Sequence, residues 1–238
     1  MREPGERASI GGAASSGAGR ASMDPAFERE VLRINERYVT EIVEAFGICP
    51  FARRARERGQ IARTVLPQSD PARALGPALQ ALLALERTEP AQVLMGMFIF
   101  PCLRIGLRAF SAFAERLQQA YAARCGPARQ FVGVVFHPGY ALRATSPAAA
   151  VPWLRRSPDP TLQWTRHSAL EAARRALPAG PLPQGGLVRT DPHSAVSARI
   201  AAANFALVTD EARRIELERI FADIAADRAR SYARWLVP

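Results

Sequence analysis

From residue 27 onward, apolar positions recur every three or four residues: Phe27, Val31, Ile34, Tyr38, Ile42 and Phe46. That spacing lines one face of a helix. Asp24 suits its N-cap, Pro25 its first position and Gly47 its stop. A short second helix is expected over 50–58 and a strand over 60–67. "DPARALGPALQALLALERTEP" predicts a helix capped by Asp70. "AQVLMGMFIFP" is a continuous apolar run of strand length, so it predicts a strand buried on both faces. "LRAFSAFAERLQQAYAARCGP" predicts a helix ended by Gly126-Pro127, and "RQFVGVVFHP" a second buried strand closed by His137-Pro138. A Pro-rich irregular stretch then leads to a short strand, "PTLQWTR", and to a helix capped by Ser168. Two further helices are expected, over 195–207 and over 210–235 with Thr209 as cap.

Strands alternate with helices until the last strand, which follows its predecessor without an intervening helix. That order predicts an α/β or α+β fold. A mixed sheet of about four strands is covered by helices, with extra C-terminal helices. Residues 1–22 are Gly/Ala/Ser-rich and hold too little to bury against their ordering entropy, so a disordered tail is expected there. Met23 is then a candidate start. The α/β domain is expected over 23–177, a Pro/Gly-rich loop over 178–192, and helices packed on the domain over 193–238.

Composition narrows the class. The longest apolar run, "VLMGMFIF", is far short of the roughly 18–20 residues that span a bilayer, so no membrane partner is expected. The N-terminus lacks the apolar centre of a secretory signal. Three unclustered cysteines argue against a disulfide framework, which makes the cytoplasm the expected location. The formal charge is +10, and every basic residue is arginine. The excess is local: residues 49–66 carry five Arg against one Glu, and 153–175 five Arg against one Asp and one Glu, whereas 210–238 balance at six each.

Those two basic segments also hold most of the candidate chemistry. Cys49-Pro50 opens the short helix expected at 50–58. A thiol there faces unpaired backbone N–H groups, with Arg53 one turn on; both favour thiolate. The bland alternative is a packed core thiol. His137 ends an apolar strand, a usual place for a base, a ligand or a structural donor. "LRRSPDPTLQW" presents Arg155, Arg156, Ser157 and Asp159 on a proline-stiffened loop. Arginine forks there suit carboxylate or phosphate; the alternative is a solvated loop with local ion pairs. Cys49, Cys102, Cys125 and His137 lack the close pairing of a zinc site, so no metal is assigned. No sequence feature specifies a cofactor.

Three segments together, "GICPFARRARERGQIARTV", "VVFHPGYAL" and "RRSPDPTLQWTR", resemble the DUF1415 family of bacterial proteins over roughly residues 28–207. The resemblance implies that Cys49, Pro50, Phe51, His137, Pro138, Tyr140, Arg156, Ser157, Pro158, Pro160 and Thr161 match its motifs. The chain departs from the pattern at Phe100, where the resemblance implies His before Pro101, at Arg155, where the motif has Asn, at Asp159, where it has Tyr, and at Gln163, where it has His.

The resulting expectation is an enzyme-like domain acting on a small anionic molecule. Cys49 is its nucleophile or redox thiol and His137 the base or orienter. Arg156 clamps the anion, with Arg53, Tyr140 and Ser157 as further binding groups. Cys49, His137 and Arg156 are expected around one pocket. The alternatives are a nonspecific nucleic-acid-binding module using the Arg-rich surface, and a non-catalytic scaffold.

Overall fold

The computed structural model describes residues 23–49, 51–141, 145–176 and 192–236. The tail expected over 1–22, and the loop expected over 178–192 apart from its last residue, lie outside them. Helix α1 (Pro25–Tyr38) begins as its sequence predicts: the Asp24 side chain accepts the Ala26 N–H at 2.8 Å. Its apolar face buries Phe27, Val31, Ile34 and Tyr38, each contributing about 1.5–3 kcal/mol by leaving water. The helix runs on as a π-helical turn over Val39–Glu44, a widening that recurs at functional sites. Short α2 (Ala52–Glu57), strand β1 (Ile61–Val65) and α3 (Pro71–Glu86) follow.

Strand β2 (Met95–Ile99) is buried at all five positions, the structural counterpart of its unbroken apolar run. Gly96 leaves room there for a neighbouring side chain. A Cβ would lie 2.3 Å from Leu85 Cδ1, so the Leu85 side chain of α3 would have to shift. Next come α4 (Leu107–Cys125), β3 (Phe131–Phe136), α5 (Pro147–Leu154), β4 (Thr161–Arg166), α6 (His167–Ala176), α7 (Pro192–Thr209) and α8 (Glu211–Tyr232).

The strands form one mixed sheet in the order β1-β2-β4-β3. β1 runs parallel to β2, and β4 is antiparallel to both its neighbours. The fold is α+β. One face carries Phe98, Leu162, Trp164 and Phe131 against α3 and α4. The other carries Met97, Ile99 and Phe136 against α1, α5, α7 and α8.

Three local expectations are corrected. Helix α6 begins at His167, so Ser168 lies inside its first turn and is not its cap. The Pro-rich stretch before β4 contains α5, whose Ser146 cap accepts the Ala149 N–H at 3.2 Å; Pro147 at the first turn favours the helix instead of opposing it. The cap of α8 is Asp210, which accepts the Arg213 N–H at 3.1 Å, while Thr209 donates back to the Phe205 carbonyl at 2.9 Å.

Candidate functional site

Strand β4 reads Thr-Leu-Gln-Trp-Thr-Arg. Leu162 and Trp164 enter the α3/α4 core, which turns Gln163 and Thr165 to the opposite face. A polar stripe of that kind usually faces water. Here helices cover it, and the space left beneath them is a cavity of about 530 Å³. Its sheet floor is Met95, Val132, Val134, Phe136, Gln163 and Thr165. Val43, Ile48, Cys49 and Phe51 close one side, and Val151 and Arg155 another. His167, Leu170 and Asn204 complete the wall.

Cys49 is half-buried in that wall. The N–H groups of Phe51 and Ala52 reach its sulfur, the local arrangement its sequence suggests. Their effect on the thiol is outweighed. Burial pushes the Cys49 thiol up, with the two N–H groups and the Arg155 charge opposing it. The balance at Cys49 thus favours the thiol over the thiolate expected from its helix-start position.

Arg155 is the unusual arginine of this chain. Arg166 is fully buried but satisfied: it donates to the Val93 carbonyl at 2.9 Å, to the Thr88 carbonyl and hydroxyl at 2.9 Å each, and to Gln130. Arg228 pairs with the buried Asp159 at 2.6 Å and donates to the Pro101 carbonyl at 3.1 Å. Among the described residues, the Arg155 guanidinium has neither a hydrogen bond nor an ion pair. Its electrostatic neighbours are the Tyr140, Tyr38 and Cys49 side chains, all uncharged, and burial pulls its pKa down. Asn204 stands in the same wall. It is only 4 % exposed, lines the cavity, and makes no side-chain hydrogen bond among the described residues.

The structure separates the residues expected to converge. The His137 ring is occupied on both sides: Nδ1 accepts the Gly139 N–H at 2.9 Å, and Nε2 donates to the Ile105 carbonyl at 3.0 Å. It packs against Phe110, and burial lowers its pKa. Arg156 lies over Phe221 and Trp153, 4.5 and 5.4 Å from their ring centres, beside a different and smaller cavity of about 130 Å³ that Ser157 also lines. The Ser157 hydroxyl donates to the Asp159 carbonyl. Tyr140 lines a third cavity, of about 230 Å³, with Trp164 and Glu115. Arg53 is exposed, with its guanidinium 3.9 Å from Glu44. The single pocket expected for Cys49, His137 and Arg156 is thus not formed; the neighbour of Arg156, Arg155, is the arginine that enters the Cys49 cavity.

Among the described residues no group of three or more His, Cys, Asp or Glu could hold a metal ion, and no helix is long and apolar enough to cross a membrane. The family model for DUF1415, described as a protein of unknown function, matches residues 30–182. The chain belongs to the DUF1415 family. The match contains Cys49, Arg155, Gln163 and His167 of the cavity, but ends before Asn204. No curated protein and no solved structure matches the chain significantly.

Proposed function

We propose that this DUF1415 protein acts on a small anionic molecule bound in the cavity between the sheet and helices α5–α7. The observation that carries this reading is the Arg155 guanidinium, drawn into an apolar cavity without a counter-charge. Arg155 is half-buried, and a charge drawn part-way out of water without a partner is costly. An anionic ligand supplies the missing partner. The cavity is within the usual size for small-molecule sites, and its apolar walls with a few polar groups fit that class.

Roles follow from position. Arg155 takes the clamp role that the sequence suggests for Arg156. Cys49 supplies a thiol at the same end of the cavity, so nucleophile and charge partner stand together. An incoming anion neutralises Arg155 and leaves the thiol protonated, so binding precedes any chemistry at sulfur. His137 serves as a fixed bracket for the loop after β3.

Calorimetric titration with small carboxylates and with inorganic phosphate tests the reading. At least one anion should bind the wild-type chain, and Arg155→Gln should weaken it by tenfold or more, the loss of one charge-assisted bidentate contact. Equal affinity in the variant, or no binding of any anion, would overturn the proposal. The nucleic-acid alternative draws on Arg53, Arg54 and Arg58, which are exposed on and beside α2. It requires steeply salt-dependent binding that is lost when those three are replaced.

A further inference from the structure

The cavity has two unlike ends. The Arg155 carbonyl accepts the His137 N–H at 3.0 Å, which fixes Arg155 beside the Phe136 end of β3. Tyr38, an electrostatic neighbour of both Arg155 and Cys49, packs against Phe136 with ring centres 6.3 Å apart. Guanidinium and thiol are therefore at that end. His167 follows Arg166, the register partner of Phe131, so it marks the opposite end. Val132 and Phe136 are four residues apart, about 13 Å at strand rise. The floor between the ends is mainly Val132, Val134 and Met95, with Gln163 donating to the Thr165 hydroxyl at 3.1 Å.

Resting on the reading of this cavity as an anion site, we infer that its ligand is an amphipathic monocarboxylate, carboxylate against Arg155 and apolar body laid along β3. Charge count selects the head group. Arg155 is the one arginine lining the cavity among the described residues, and it matches one negative charge. A phosphate dianion would leave a second charge desolvated on an apolar floor. A planar carboxylate also accepts the guanidinium fork with two parallel bonds. Length selects the body. A short acid such as acetate would fill the Arg155 end and leave the valine floor bare. Asn204 in the same wall offers an amide donor and acceptor to whatever fills the cavity.

Four probes separate the outcomes: pentanoate, octanoate, octanamide and inorganic phosphate, each titrated calorimetrically into the full chain. Octanoate should bind tightest. Each added methylene should tighten binding about three- to fourfold if fully buried, about 50-fold between pentanoate and octanoate. Octanamide keeps the body and loses the charge, so it should bind at least tenfold more weakly, and it needs no variant that could fail to fold. Arg155→Gln should bring octanoate to the level of octanamide. Arg155-dependent binding of phosphate, or carboxylate binding that does not grow with chain length, would overturn the monocarboxylate inference and leave the anion site standing. If octanoate and octanamide bind equally, or if none of the four binds, the anion site itself fails.

Discussion

The backbone carbonyl of Arg155 accepts the backbone N–H of His137 at 3.0 Å. One hydrogen bond thus joins the His-Pro exit of β3 to the Arg-Ser-Pro loop, but their side chains part company. The His137 ring turns to Ile105 and Gly139, and the Arg155 guanidinium enters the cavity of Cys49. The two motifs are neighbours in the backbone, with one side chain shaping the loop and the other facing the cavity.

His137→Ala should therefore act on stability. It removes two hydrogen bonds and leaves the Ile105 carbonyl and the Gly139 N–H without those partners, a loss of about 2–4 kcal/mol. Urea denaturation would show it as a lower midpoint. The pH dependence has a definite sign. The folded protein holds His137 below its ordinary 6.5 because burial disfavours the imidazolium. Its contribution is full above about pH 6.5 and falls as pH drops below that value. The wild type should lose stability in that window, and the Ala variant should lose less.

The Arg-Ser-Pro loop is anchored from the far end of the chain. Asp159 is 1 % exposed; it pairs with Arg228 at 2.6 Å and accepts the Tyr232 hydroxyl at 2.9 Å, both on α8. Arg228→Met should cost about 3–5 kcal/mol, because it strands a buried carboxylate. Burial already raises the Asp159 pKa, and loss of the cation should raise it further. A group whose folded pKa lies above its unfolded value contributes most below the unfolded value and loses that contribution as pH rises through the folded one. Thermal melts should accordingly show the deficit of the variant shrinking in acid.

How much of this was legible in the sequence varies by residue. The apolar face of α1, the buried β2 run and the N–H groups at Cys49 follow from local patterns, because periodicity and helix ends are local physics. Which of two adjacent arginines turns inward is not local. Arg155 and Arg156 have the same chemistry, and only the packing of Arg156 on Phe221 and Trp153 leaves the cavity to Arg155. A signal was nonetheless present in β4, where Gln163 and Thr165 put polar groups on a face that the fold covers. Asn204 in "AAANFALV" gave a weaker one: a lone amide in an apolar helical run.

Arg156→Ala should separate the two arginines. It removes the contacts to Phe221 and Trp153, worth about 1–2 kcal/mol together with lost packing of the side-chain stem. Stability should fall by that amount while anion affinity stays within about twofold of wild type. Arg155→Gln should give the reverse pattern in the same pair of measurements, a calorimetric titration and a urea melt.

The proposed site centres on Cys49 and Arg155, which line one cavity, and the thiol reports on that directly. Cys49 should alkylate with iodoacetamide along a pH profile whose midpoint lies above the ordinary 9.0, since burial disfavours its thiolate, and Arg155→Gln should move the midpoint further up. The decisive measurement is the rate of Cys49 alkylation by mass spectrometry, with and without saturating octanoate, with Cys125 as internal reference. The expected result is at least tenfold protection of Cys49, unchanged labelling of Cys125, and loss of protection in Arg155→Gln. Equal Cys49 rates with and without octanoate in the wild type would contradict the shared site.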